Sequence, residues 1–193
     1  MDYAEASKKL VDLLNLDGKP VGVSLLNLKE GIPQDIEEVS DSVRYCQMLQ
    51  KARFDEIINF ATVDKHACKG GAAALGLQDY PDKLKSGKLY VDKLGKETSY
   101  SVAKRVVDNM PRPEPGSTAA TVVAPLDTIP TRPDVIIVIG NTLVARRIAQ
   151  AIIYKHGGRM TATFAGIQST CADATGSPYT TGKINISIGC DGA

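Results

Sequence analysis

The chain has no tryptophan, only two histidines and few aromatic rings, seven Tyr and three Phe. Scattered rings of that number offer no base-stacking platform for single-stranded nucleic acid. Charge of one sign is also lacking. With a formal net charge of +1, no global field draws the chain to nucleic acid or to an anionic membrane. Long apolar runs are absent as well. The longest, Val135 to Ile139, falls far short of the roughly 20 residues that a membrane-spanning helix needs. The N-terminal MDYAEASKKLVDLLNL alternates charge with apolar residues and lacks the unbroken apolar centre of a signal peptide. A reducing cytoplasm is therefore the expected compartment, in which thiols persist as thiols or as metal ligands.

What is present is a pattern of alternating strands and helices. Residues 2–15 carry apolar side chains at three- and four-residue intervals and predict an amphipathic helix, followed by PVGVSLLNL as a buried strand. VRYCQMLQKARF predicts a second helix with Cys46 in its first turns, IINFATV a second strand, and Ala72 to Leu77 a short helix beside Cys68. Residues 78–117 are the least regular stretch and end in PRPEPG, a turn or linker; within them Ser99 to Val107 predicts a helix. ATVVAPL and PDVIIVIG predict strands, and Asn141 or Thr142 caps the helix LVARRIAQAIIYKHGG. MTATFAG predicts a strand, STCADA a helical turn, and INISIG a last strand ending at Cys190. Several strands are apolar throughout. The expectation is a single α/β domain over residues 1–193, its sheet mixed or mostly parallel and flanked by helices, with an irregular insertion at about 78–117.

Four cysteines stand out, Cys46, Cys68, Cys171 and Cys190, separated by 21, 102 and 18 residues. No CxxC pair occurs, so neither a zinc ribbon nor the ferredoxin run is present. Spacing alone equally fits small buried thiols. Local context separates the two readings, because ACKGGAAALG, TCADATG and IGCDGA are almost free of large side chains. Each cysteine also falls near the end of an element, where loops converge. Around Cys68 stand Lys65, His66 and Lys69, followed by the amides of Gly70 and Gly71, and both positive charge and free amides stabilise a thiolate. Asp173 and Asp191 oppose further negative charge nearby. His66 reads as a surface or capping histidine before a ligand, and His156 as a cation at a helix C-terminus. GNTLVARR lacks the later glycines of a dinucleotide fingerprint and GKETS lacks the form of a phosphate loop. No Ser-His-Asp order or carboxylate pair stands out as a catalytic constellation.

Six phrases together, KPVGVSLL, RYCQMLQKAR, HACKGGAAALGL, APLDTIPTRPDVIIVIGN, GIQSTCADATGSPYTTGK and NISIGCDGA, resemble the family grouped as domain of unknown function one hundred and sixty-nine. The resemblance runs from about residue 10 to the C-terminus, and all four cysteines fall inside it. It implies a habitat among archaea and anaerobic bacteria and carries no reaction. Members are expected to continue past the cysteine-Asp-Gly phrase with an acidic and apolar segment, whereas this chain ends at Ala193.

The leading expectation is an iron–sulfur protein in which Cys46, Cys68, Cys171 and Cys190 ligate one [4Fe-4S] cluster, lined by Lys69, Gly70 and Gly71. Four cysteine ligands leave no open iron position, which favours electron transfer with a redox partner protein, or display to a small ligand. The alternatives are a structural zinc site on the same cysteines and a metal-free thiol enzyme that uses Cys68. No nucleic acid or membrane partner is expected, and the apolar content is compatible with a homodimer.

Overall fold

A computed structural model of the chain describes residues 2–27 and 36–189. Helix α1, Tyr3–Leu14, begins at Asp2, whose carboxylate accepts the amides of Ala4 and Glu5, and ends at Asn15 in a left-handed conformation. Strand β1, Val21–Asn27, leads through the chain before α2, Tyr45–Phe54, to β2, Asn59–Thr62. A single 3₁₀ turn, Val63–Lys65, precedes α3, Lys69–Ala74. The stretch that reads as irregular holds α4, Asp82–Lys85, a π-helical turn at Leu89–Lys93, and α5, Tyr100–Asp108, capped by Ser99. Strands β3, Thr118–Pro125, and β4, Val135–Ile137, follow, then α6, Thr142–Ile153, capped by Asn141. A longer π-helical segment, Ser169–Gly176, runs into α7, Ser177–Thr181.

The sheet corrects the expected fold class. Among the described residues it has four strands in the order β2-β3-β1-β4, and all three pairings are antiparallel. It is neither mostly parallel nor mixed in its ladders; the two parallel contacts, Glu38 with Phe60 and Val43 with His66, are isolated bridges. The apolar character of β1 and β3 reported burial on both faces rather than strand direction. One face packs Val21, Val23, Leu25 and Val123 against α2 and α3. The other carries Leu26, Phe60 and Val122 under Ile36 and Ile129. Gly22 on β1 marks how closely that cover lies, since a Cβ there would stand 2.7 Å from Ile129. An antiparallel sheet covered on both sides leaves the same continuous apolar strands as a parallel one.

The segments MTATFAG and INISIG also depart from expectation, because neither enters a strand over the described residues. Ile184, Ile186 and Ile188 keep strand alternation yet remain exposed, and the link between the two segments is a side-chain bond from the Thr163 amide to Asn185. Alternation supplies an edge to pair, but a ladder needs an adjacent partner edge. Residues 78–117, by contrast, give Tyr80, Leu84, Tyr90, Ala103, Val107 and Met110 to the main core.

Candidate functional site

Cys68 is the N-cap of α3, and its Sγ accepts the Gly71 amide at 3.4 Å. From Gly70 to Leu77 every residue is buried, with side chains no larger than alanine before Leu75. This bare helix lies directly on the backbone of the π-helical segment Ser169–Gly176. A Cβ on Gly176 would stand 2.6 Å from the Ala74 carbonyl oxygen, so the two backbones touch. The contact brings Cys171 to Cys68. A Cβ on Gly71 would meet Cys68 Sγ at 3.6 Å and Cys171 Sγ at 3.7 Å, so two sulfurs far apart in sequence border the same gap.

Gln168 holds the far side of that gap. It is a non-glycine residue in the left-handed region, φ 54°, at the entry to the π-helical segment. Its carbonyl accepts the Cys171 thiol at 3.3 Å and the Ala172 amide at 2.7 Å. Its side-chain amide donates to the Tyr90 hydroxyl at 2.6 Å and accepts from the Tyr80 hydroxyl at 3.3 Å. A Cβ on Gly70 would lie 2.8 Å from that same amide nitrogen, so Gly70 and Gln168 are fitted to each other. Burial pushes the Tyr80 and Tyr90 phenols well above their ordinary range, with Cys171 adding to both, so both remain neutral. The Arg112 guanidinium stacks 4.3 Å from the Tyr80 ring centroid and bonds Asp79, fixing the ring from outside. Ser169 is fully buried, and its hydroxyl has no partner among the described residues.

Cys46 is the second residue of α2. The Val43–His66 bridge and the Ala67 amide on the Val43 carbonyl, 3.0 Å, set the chain entering α2 beside the chain entering α3. Next to Cys46, the buried Tyr45 hydroxyl bonds Thr175 of the π-helical segment at 2.7 Å. Cys190 lies outside the described residues. Among the described residues no three His, Cys, Asp or Glu side chains gather as a metal-ligand group. Lys69 turns its ammonium to the Val63 carbonyl, 3.5 Å away. His66 corrects the surface or capping reading. It is a core residue, 1% exposed, bonding Thr121 of β3 at 3.1 Å, and burial, with Lys69 nearby, holds its pKa down at about 4.

The donor set at Cys68 and Cys171 suits a thiophilic metal in its chemistry, with two soft sulfurs about one methyl group's position at Gly71 and an amide directed at one of them, and among the described residues it is a pair without a third ligand. Sequence reasoning found the cysteines and glycines but missed Gln168, Tyr80 and Tyr90. The one signal for Gln168 was its place between Gly166-Ile167 and Ser169-Thr170-Cys171, a small-residue stretch beside a thiol.

Fold and site define an antiparallel α+β protein with a thiol pair at the contact of two short, nearly side-chain-free helical segments. The chain belongs to the DUF169 family, described as Uncharacterised ArCR, whose model matches residues 9–193. It is 46% identical over 193 residues to "Uncharacterized protein MJ0308" of Methanocaldococcus jannaschii, an alignment that covers 100% of this chain and 82% of that relative. No solved structure gives a significant match. No helix among the described residues is long and apolar enough to cross a membrane.

Proposed function

We propose that this protein binds an iron–sulfur cluster through Cys68 and Cys171, with Cys46 and Cys190 completing a four-thiolate set, and that it transfers electrons in an anaerobic cytoplasm. The observation that carries the reading is the gap at Gly71, bordered by the sulfurs of Cys68 and Cys171. A bound cluster supplies one-electron chemistry. The chain's own residues do the rest. The Gly71 amide donates to Cys68 Sγ and holds the sulfur at the start of α3. Cys171, whose thiol donates to the Gln168 carbonyl, would hold the cluster as a thiolate, its proton released to solvent. Tyr80 and Tyr90, tied through Gln168 and buried, keep bulk water from that side.

The test is anaerobic purification with iron and acid-labile sulfide analysis. Brown protein absorbing broadly near roughly 400 nm is expected, and Cys68→Ala and Cys171→Ala should each lose the iron. Colourless protein with stoichiometric zinc overturns the reading in favour of a structural zinc site.

A second reading, a metal-free thiol enzyme, has one observation in its favour. Cys68 is exposed at a helix start while Cys171 is 8% exposed. It predicts selective alkylation of Cys68 at neutral pH in protein that contains no metal.

A further inference from the structure

Beside the thiol centre, on the other side of Met110 and the π-helical segment, lies a cleft of about 470 Å³ between α5 and residues 163–165. Its volume is that of a small-molecule site. Helix α5 has a wider apolar stripe than the core uses. Ala103 and Val107 are buried in the core, whereas Val102 and Val106, one turn apart, are only half buried and line the cleft, Val106 while also packing against the core. Met110, just past the end of α5, and the half-exposed Phe164 complete an apolar wall.

Two opposite charges line the same cleft without meeting. Arg105 is exposed on α5 and forms no ion pair among the described residues, while its neighbour Lys104 is paired with Asp108 at 2.6 Å. Asp173 is 5% exposed, and its carboxylate accepts the Ala165 amide at 3.3 Å and also the Gly166 amide; no cation among the described residues pairs with it. A buried carboxylate without a counter-cation is costly. An ammonium group brought by a ligand removes that cost, and a carboxylate on the same ligand satisfies the unpaired guanidinium.

We propose that this cleft binds a free α-amino acid with an apolar side chain, its ammonium on Asp173, its carboxylate on Arg105 and its side chain against Val102, Val106, Met110 and Phe164. The site is separate from the cysteine pair, so it stands or falls independently of the cluster. Asp173 also holds the loop at Ala165, which makes the site's floor part of the fold, whereas Arg105 is a surface residue whose replacement leaves packing intact.

Isothermal titration of the full chain with L-leucine, L-methionine and L-phenylalanine tests the proposal, with N-acetyl-L-leucine and L-leucinamide as analogues that lack one charge. Saturable binding of at least one amino acid is expected, weakened roughly 10- to 100-fold in each capped analogue and in Arg105→Gln. Lys104→Gln should bind as the wild type does, and iron is measured separately on the same protein, which separates failure of this site from failure of the cluster reading. Asp173→Asn should lose affinity with its melting transition retained; if it unfolds, the Arg105→Gln and analogue results decide. Absence of binding by all three amino acids at millimolar concentration overturns the proposal. So does equal binding of the capped analogues, or unchanged affinity in Arg105→Gln.

Discussion

The contact between α3 and the π-helical segment differs sharply from the stretch formed by α6 and the residues after it. In the first, small residues bury completely and backbones meet with no room for a Cβ at Gly176. In the second, large apolar residues stay outside. Of α6 only Val144 is buried, while Leu143, Tyr154, Phe164, Ile184 and Ile188 are exposed. Apolar content alone therefore does not mark which segments are buried. Close backbone approach fixes positions more tightly than a greasy face without a partner, and the thiol pair sits on the tight side.

The comparison is broken most strongly at Gly176. Gly176→Ala sets a Cβ against the Ala74 carbonyl, a backbone atom that cannot swing away, and also crowds Cys171 and Pro111. Chemical denaturation should show a loss of about 3 kcal/mol. Gln168→Ala comes next. It keeps the unfavourable left-handed backbone, φ 54°, and removes the bonds to Tyr80 and Tyr90, for an expected loss of about 1–2 kcal/mol. Gln168→Gly should recover part of this by relieving the backbone.

A smaller effect belongs to Asp79, which holds Arg112 over Tyr80. Its bond to Lys85, then the Tyr80 amide and Arg112, bring its pKa down from 3.8 to about 2. Because the folded value is depressed, its contribution to stability is present above the unfolded pKa and is lost as pH falls through the folded one. The melting temperature of Asp79→Asn should lie below the wild type at neutral pH and converge with it on acidification through that window. The smallest effect is expected on the open side. Tyr154→Ser, at a side chain 86% exposed, should change stability by less than about 0.5 kcal/mol.

Much of the local structure was legible in the sequence. Asp2, Ser99 and Asn141 cap helices that the sequence predicts, β1 falls within PVGVSLLNL, and β3 overlaps ATVVAPL but begins earlier, at Thr118. Strand direction was not legible, because an apolar strand such as β1 records burial on both faces and says nothing of what its neighbour does. At the site, Cys68-Lys69-Gly70-Gly71 announced close packing, which the structure shows at Gly70, where a Cβ would stand 2.8 Å from the Gln168 side chain. Gln168, Tyr80 and Tyr90 gave no comparable signal. Their roles arise from hydrogen bonds that join residues 80, 90 and 168 only after the chain has folded. His66 was misread for the same reason, as its partner Thr121 lies on a strand 55 residues away.

The central claim is that the gap at Gly71 is there for something held between two sulfurs. Gly71→Ala tests it most directly. A Cβ there makes ordinary contacts, 3.6 and 3.7 Å, with both sulfurs, and alanine favours a helix over glycine by about 1 kcal/mol, so the fold should be as stable as the wild type or more so. Iron and acid-labile sulfide per chain, measured after anaerobic purification, should nevertheless fall to near zero in this variant. Wild-type iron content in a folded Gly71→Ala protein would contradict the account.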